Sequence, residues 1–368
     1  MSSSFAKRNS RQRIERCSEP QNERVSILLP VLNEAERIER CLDGLMVQPN
    51  EVSEILVIDG GSTDETQSLV QRYQRSDPRI RWVDASPVDE RWTGKSWGLQ
   101  FGLLNSNSES QWILCVDADV KVSEFLVRSL LAHARRSSVA SFSVATQQRL
   151  SGPMDGLIHP ALLTTLVYRF GAPGSATRNP HKVQANGQCF LSRREILVKT
   201  EAFRAAQSSL CEDITIARRL ADCGEAVGFY ESDGLVEASM YRDWRETWRN
   251  WPRSLPMRDQ YFGSREAAGL LAVLLVQALP LPLFILGWIW GAPSWFFSVT
   301  APFVLIRFGV LGGVARAYPN RPWTYWLSPL WDLPVAFRLI QSALARRHSW
   351  RGRSYIRGKG GRFKPLGN

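Results

Sequence analysis

The sequence lacks several familiar devices, and each absence narrows what the chain can be. Its six cysteines (Cys17, Cys41, Cys115, Cys189, Cys211 and Cys223) contain no C-x-x-C pair, so no disulfide or zinc framework is visible and a reducing compartment is expected. The four histidines are scattered with no H-E-x-x-H run, which argues against a histidine metal site. The first 24 residues have no apolar core, so no signal peptide is read there. Acidic residues are missing altogether from 345–368, which carries eight basic side chains (Arg346, Arg347, Arg351, Arg353, Arg357, Lys359, Arg362 and Lys364). Residues 1–24 carry a net +3, and with the +8 of the C-terminal end this equals the whole net charge of +11. The segment 25–344 is therefore balanced. Balanced folded charge with basic ends argues against a nucleic-acid groove and for tails beside anionic lipid, at about 1 kcal/mol per well-placed basic residue.

Hydrophobic residues make up 44% of the 368-residue chain, enough for a large core. Val25–Val31 (VSILLPV), Ile55–Asp59 (ILVID), Ile80–Ala85 (IRWVDA) and Trp112–Asp117 (WILCVD) are near-continuous apolar runs, the pattern of strands buried on both faces. Helical stretches fall between and after them, at about 34–47, 64–76, 96–106 and 123–136. Strand and helix in alternation predict an α/β layered domain with a parallel sheet and right-handed crossovers, over 25–240. Val183–Ser192 reads as a strand with a glycine kink, and Glu212–Cys223 as a helix closed by Gly224.

Farther on, 241–262 places Trp244, Trp248 and Trp251 on one helical face among Arg242, Arg245, Arg249 and Arg253, which suits an amphipathic helix in the headgroup layer. Ala267–Trp290 is 24 residues without a charge, long enough for ~30 Å of hydrocarbon. A second candidate, 295–315, is interrupted by Arg307, which should face protein rather than lipid. Residues 323–344 are weaker. The expectation is a transmembrane hairpin with a re-entrant or interfacial segment over 267–344. The basic tail 345–368 and the catalytic domain then lie on the cytoplasmic side of a multi-pass cell-membrane protein.

Open α/β sheets bind ligands at the carboxyl ends of their strands. Three polar clusters lie there: Pro30-Val31-Leu32-Asn33-Glu34, Asp59-Gly60-Gly61-Ser62-Thr63-Asp64, and Asp117-Ala118-Asp119. Alternate carboxylates leaving a strand can share one hard divalent ion, Mg2+ or Mn2+, which in turn carries a diphosphate. Thr93-Gly94-Lys95-Ser96 imitates the end of a phosphate-binding loop, but Asp89 stands where that loop needs glycine, so Lys95 is read as a cation near the nucleotide. Glu212-Asp213 opens a helix, where a carboxylate is held as the anion and can act as a general base on a hydroxyl.

Together PVLNE, IDGGSTD, DAD and ED resemble the family-2 glycosyltransferases of GT-A (Rossmann-like) fold, over roughly 25–260. The resemblance implies inverting, metal-dependent transfer from a nucleotide-sugar donor. It places Pro30, Asn33, Glu34, Asp59, Lys95, Asp117 and Asp119 at the nucleotide sugar, the metal at Asp119 and Asp117, and the base at Asp213. Glu212, Arg242, Arg245 and Trp248 would bind the acceptor or the diphosphate. Arg242-x-x-Arg245 matches part of the motif of membrane-bound members, but Glu246 stands where they carry Trp, a departure from the polymer-forming synthases. TGKSWGLQFG, MYRDWRETW and Trp350-Arg351-Gly352-Arg353-x-Tyr355 are similar to membrane-bound carotenoid glycosyltransferases and hopanoid-associated relatives, which implies a lipophilic acceptor. Polyprenyl-phosphate and glycolipid (ceramide, diacylglycerol or hopanoid) acceptors stay open, as does a non-enzymatic nucleotide-sugar sensor or scaffold. The sugar, the nucleotide and the oligomeric state are not fixed by the sequence.

Overall fold

Val25, Ile27, Leu28 and Leu29 have no exposed surface at all, so their strand can sit only inside a sheet covered on both faces. The computed structural model describes residues 13–350, 353–358 and 362–365, and places that strand centrally. The main sheet contains β1 (Arg13–Ile14), β2 (Val25–Val31), β3 (Val52–Asp59), β4 (Ile80–Asp84), β5 (Trp112–Val116), β7 (Ser141–Ala145), β10 (Cys189–Arg193) and β11 (Val227–Ser232). Their order is β1-β11-β7-β10-β5-β2-β3-β4, with β9 (Ser175–Thr177) beside β11. A smaller sheet joins β6 (Val120–Val122), β12 (Val236–Ala238) and β8 (Gln147–Gln148).

Strands β5, β2, β3 and β4 run parallel, so the segments that follow β2, β3 and β5 all emerge at one edge. Strand β10 is antiparallel to β5, with Cys189 opposite Val116. The chain just before Cys189 therefore enters at the same edge where Asp117 leaves. This topology brings four separate stretches of sequence to one place.

Helices Ile38–Met46, Thr66–Ser76 and Leu126–Ser137 cover one face of the sheet. Gly94–Asn105, Arg194–Thr200 and Glu212–Asp222 cover the other. The helix Gly94–Asn105 lies very close to the sheet. A Cβ at Gly98 would stand 3.1 Å from the Pro30 Cβ, and one at Gly102 would stand 2.7 Å from the Ile58 Cδ1. Glycine at these two positions sets the depth at which Lys95 begins its reach.

The expected N-terminal polar tail 1–24 is, from residue 13 on, part of the domain. Ile14 is fully buried, and Arg128 donates to the Ser18 carbonyl at 2.8 Å. Residues 1–12 of that expectation lie outside the described residues. The strand expected over Val183–Ser192 begins only at Cys189, because 183–188 bends away to line a cavity.

The apolar C-terminal third packs on the helix Pro153–Phe170. Two helical stretches, Ser264–Ile289 and Ser294–Ala317, are long and apolar enough to cross a membrane. Pro280 has no N–H to give, and just before it, over Val273–Ala278, the first of these widens to a π turn. Arg307 in the second is 1% exposed and holds Asp332 with two bonds of 2.6 and 2.9 Å. Gln277 donates to Asp332 (2.8 Å), to the Ala161 carbonyl and to Thr164. One buried polar knot thus ties both apolar stretches to the helices Pro153–Phe170 and Asp332–Leu344. The segment 323–344 is a 3-10 helix, Trp323–Trp331, running into that last helix.

Two expectations need correction. Residues 241–262 are not one amphipathic helix. A helix covers Trp244–Asn250, a 3-10 turn covers Trp251–Arg253, and the chain is irregular up to Gly263; Pro252 and Pro256 prevent continuation. Nor is 345–368 simply a basic tail. Strands Arg347–Trp350, Arg353–Arg357 and Phe363–Pro365 form an antiparallel sheet that buries Tyr355 and Phe363. Alternating one aromatic anchor with basic neighbours gives a strand a buried face despite its charge. The Phe363 N–H donates to the Ser208 carbonyl at 2.8 Å, fixing this sheet to the catalytic domain. Arg351 and Lys359 lie outside the described residues.

Candidate active site

At the strand edge lies a cavity of about 590 Å³. The first two clusters meet there by stapling to one another. Asn33 has a left-handed backbone (φ 54°), and its side-chain oxygen accepts from the Thr63 N–H at 2.8 Å. Ser62 Oγ accepts from the Asn33 N–H and donates to Asp59 Oδ1 at 2.6 Å. Asp64 accepts from the Ala35 and Thr66 N–H groups. Asn33 and Asp59 are used up in this staple and stand outside the cavity wall, while Pro30 and Glu34 line it. Burial of Asp59, and the facing Asp84, raise its carboxyl above the ordinary range despite the bonds from Ser62.

The charged centre is built around Lys95. Thr93 and Ser96, which flank it, donate their hydroxyls to the Ser209 and Ala206 carbonyls at 3.0 Å each. The imitation of a phosphate loop is thus a clasp that holds the segment 206–209 against the helix start. That clasp sets Lys95 Nζ 2.7 Å from Asp117 Oδ1 and 2.7 Å from Glu212 Oε1. Burial opposes the ammonium charge, but Asp117, Glu212 and Asp213 outweigh it and Lys95 stays protonated well above its usual range.

Asp213 accepts from the Gly187 N–H (3.0 Å) and the Ile214 N–H (2.8 Å). Burial and then Glu212 push its carboxyl up to about 6, against the pull of Lys95 and the two N–H groups. Asp117 is pushed up to about 7, by burial first and by Asp119 after the opposing Lys95. A Cβ on Gly187 would come 2.8 Å from Lys95 Nζ and 3.3 Å from the Asp213 Cβ, so any larger residue there must push Lys95 Nζ aside.

Asp117 and Asp119 both face the cavity. Two alternate carboxylates are hard oxygen donors, and their mutual repulsion is what a divalent cation relieves. Among the described residues no group of three or more His, Cys, Asp or Glu gathers to cage a metal. The donor set fits an ion such as Mg2+ or Mn2+ that takes one or two carboxylates and completes its shell with phosphate and water.

The cavity therefore gathers Pro30, Glu34, Lys95, Asp117, Asp119, Glu212 and Asp213. It does not gather Arg242, Arg245 or Trp248. Arg242 points outward to an exposed pair with Glu36, and Arg245 stacks on the Trp244 ring at 4.8 Å. Trp248 packs in the apolar cluster under the helix Pro153–Phe170. Arg242 precedes the helix Trp244–Asn250, whose cavity-lining residues are Glu246 and Asn250 instead. Residues not singled out as site residues from sequence also line the cavity: Arg37, Asn186, Gln188, Arg253 and Tyr355. Asn186-Gly187 carried a turn signal. Arg253 and Tyr355 stood in the Trp and Arg stripe and in the Trp350–Tyr355 motif without a role in this cavity, and Tyr355 arrives from the C-terminal sheet.

Residues 26–200 match the family described as Glycosyl transferase family 2. The chain is 24% identical over 233 residues to "Probable glycosyltransferase YdaM" of Bacillus subtilis (strain 168), covering 62% of this chain and 53% of that protein. It is 24% identical over 221 residues to "4,4'-diaponeurosporenoate glycosyltransferase" of Staphylococcus haemolyticus (strain JCSC1435), covering 59% of this chain and 56% of that protein. The chain thus spans about half the length of these curated relatives. Among solved structures, the mannosyltransferase PcManGT from Pyrobaculum calidifontis in complex with GDP-Man and Mn2+ has a TM-score of 0.49 and 19% identity, covering 89% of this chain and 90% of that one.

Proposed function

We propose that the chain, whose residues 26–200 match the Glycosyl transferase family 2 description, is an inverting glycosyltransferase that moves a sugar from a nucleotide-sugar donor to a hydroxyl of a lipophilic acceptor. The observation that carries this reading is one constellation. Lys95 bridges Asp117 and Glu212, Asp213 lies beside them, and the same cavity is walled by Leu163 and Leu166 of the helix that packs on the apolar C-terminal third.

In the proposed step the acceptor oxygen bonds to the anomeric carbon as the bond from that carbon to the diphosphate oxygen breaks. The electron pair leaves with the diphosphate, and the acceptor proton passes to an Asp213 oxygen. Asp119 and Asp117 would hold a divalent ion, which when bound would supply charge neutralisation of the diphosphate. Lys95 fixes the orientation of Asp117 and Glu212 and adds positive charge near the leaving group. The Gly187 and Ile214 N–H groups hold Asp213 in the orientation that receives the proton.

A carotenoid is the acceptor we favour, supported by the resemblance of the secondary motifs and by the name of the Staphylococcus haemolyticus relative. We place Ser264–Ile289 and Ser294–Ala317 across a cell membrane as a hairpin. Support comes from their exposed apolar faces and from Trp288, Trp290 and Trp295 at the hairpin tip, where an aromatic belt would lie. The catalytic domain then sits on the cytoplasmic side with Arg316 and Arg321. The full chain should be incubated with labelled nucleotide sugars and a pigmented lipid extract, and the product identified by mass. A coloured glycoside is expected; a sugar linked through phosphate to a lipid contradicts the hydroxyl acceptor.

Two further outcomes follow from the cluster. Because the base must be the anion, kcat at saturating metal and donor, which keep Asp117 ionised, should hold above pH 6 and fall as the pH drops through about 6, where Asp213 gains its proton. A profile that rises in that direction would remove Asp213 from the role. Gly187→Ala should slow transfer by about 100-fold, because the new methyl shifts Lys95 and Asp213. Its melting temperature should barely move; a rate near wild type would mean that the cluster tolerates displacement.

A further inference from the structure

Beside the catalytic cavity lies a second chamber of about 280 Å³, which shares the wall residues Leu163, Leu166, Ala185, Asn186 and Phe229 with it. Its lining also takes in Arg13, Glu231 and Arg316, the apolar Val167 and Phe170, and, from another segment, Val314 and Ala317. Those last two residues close the second long apolar stretch, Ser294–Ala317. The chamber thus leads from the end of a candidate membrane span to the wall of the charged centre.

The shared wall carries an amide collar. Gln188 Oε1 accepts from Thr146 Oγ1 (2.6 Å) and from Asn186 Nδ2 (3.1 Å), and Gln148 Nε2 donates to Thr146 Oγ1 at 2.7 Å. These bonds fix the amide orientation of Gln188. Its Nε2 is left without a hydrogen-bond partner although the residue is only 4% exposed and lines the catalytic cavity. A buried donor without a partner costs about 1–3 kcal/mol, so a site that retains one has a use for it. The residue between Asn186 and Gln188 is Gly187, whose N–H is bonded to Asp213. The collar therefore adjoins the base.

We propose that the side chamber binds the apolar body of a hydroxyl-bearing lipid acceptor, which arrives sideways past Ala317, and that Gln188 Nε2 donates to the acceptor oxygen while Asp213 faces its proton. This rests on the glycosyltransferase reading and adds to it the place, the route and the residue that select an alcohol. The occupant is an alkyl or polyene chain because the walls are largely apolar.

The test uses hexadecanol carrying a terminal diazirine, photolysed with the full chain in phospholipid vesicles, and the labelled peptides identified by mass spectrometry. Label is expected on 163–171 and 314–317, displaced by excess hexadecanol and not by butanol. Ala317→Trp and Val167→Phe fill the chamber from opposite walls and should each cut that label by about tenfold. Label on the lipid-facing Leu305 and Phe308 should persist, and a folded circular dichroism spectrum in either variant suffices to read the result. Label confined to the outward faces, or unchanged in a folded variant, overturns the chamber. Gln188→Leu should retain the label and lose transfer to hexadecanol. Transfer without chamber labelling contradicts this proposal alone, whereas chamber labelling with no transfer from any nucleotide sugar contradicts the glycosyltransferase reading alone.

Discussion

Asp213→Asn is expected to lower sugar transfer by about 10²–10⁴-fold while the affinity for the nucleotide sugar stays within a small factor of wild type. Asparagine keeps the size of aspartate and an oxygen that can accept from the Gly187 N–H, so the helix start and its neighbours should remain in place. What it loses is the ability to receive a proton. The donor is expected to bind through Pro30, Glu34 and the Asp117–Asp119 pair rather than through Asp213. The prediction is therefore a split, with kcat falling and donor binding surviving, read by transfer rate and by equilibrium binding of the labelled donor. The profile near pH 6 should also vanish from whatever activity is left. Retained turnover would point to an acceptor that is already ionised, such as a lipid phosphate.

Arg307→Met should destabilise the helical third by about 3–5 kcal/mol, because it leaves Asp332 as a buried charge with only Gln277 beside it. Arg307 and Asp332 are both about 1% exposed, so solvent cannot compensate. The double variant Arg307→Met with Asp332→Leu removes both charges and should recover most of the loss, because two apolar side chains need no partner. Thermal unfolding of the detergent-solubilised protein measures this directly. Equal destabilisation of the single and double variants would mean that the pair acts through packing alone.

The strands that carry the site could be read from composition alone. Val25–Val31 and Trp112–Asp117 are apolar on every residue that matters, and only a strand buried on both faces satisfies that pattern. The ends of such strands then locate Pro30, Glu34, Asp117 and Asp119 without further information. Lys95 and Asp213 were legible because each opens a helix beside a cluster of opposite or like charge.

Asn33 and Asp59 were legible as members of motifs, but not in what their side chains do. A sequence pattern cannot distinguish a carboxylate facing a cavity from one stapling two loops, as Asp59 does through Ser62. The Trp and Arg stripe over 241–262 misled for a different reason. Its helical spacing is real over Trp244–Asn250, yet the prolines cut it short and the tryptophans pack against the helix Pro153–Phe170. The place of Tyr355 and Gln188 in the site could not be read from the sequence, because it depends on long-range contacts. Tyr355 reaches the cavity from a segment whose charge density suggested a basic tail beside anionic lipid, and Gln188 matters only because its carbonyl is occupied and its amide is not.

The central claim is that the carboxylates Asp117 and Asp119 hold a divalent ion against the diphosphate of a nucleotide sugar. Calorimetric titration of the full chain with UDP and with GDP, each with and without Mn2+, tests it most directly. At least one nucleotide should bind much more tightly with the metal, and Asp119→Asn should abolish that gain while Asp213→Asn keeps it. Equal binding with and without metal, or a gain that survives Asp119→Asn, would contradict the account.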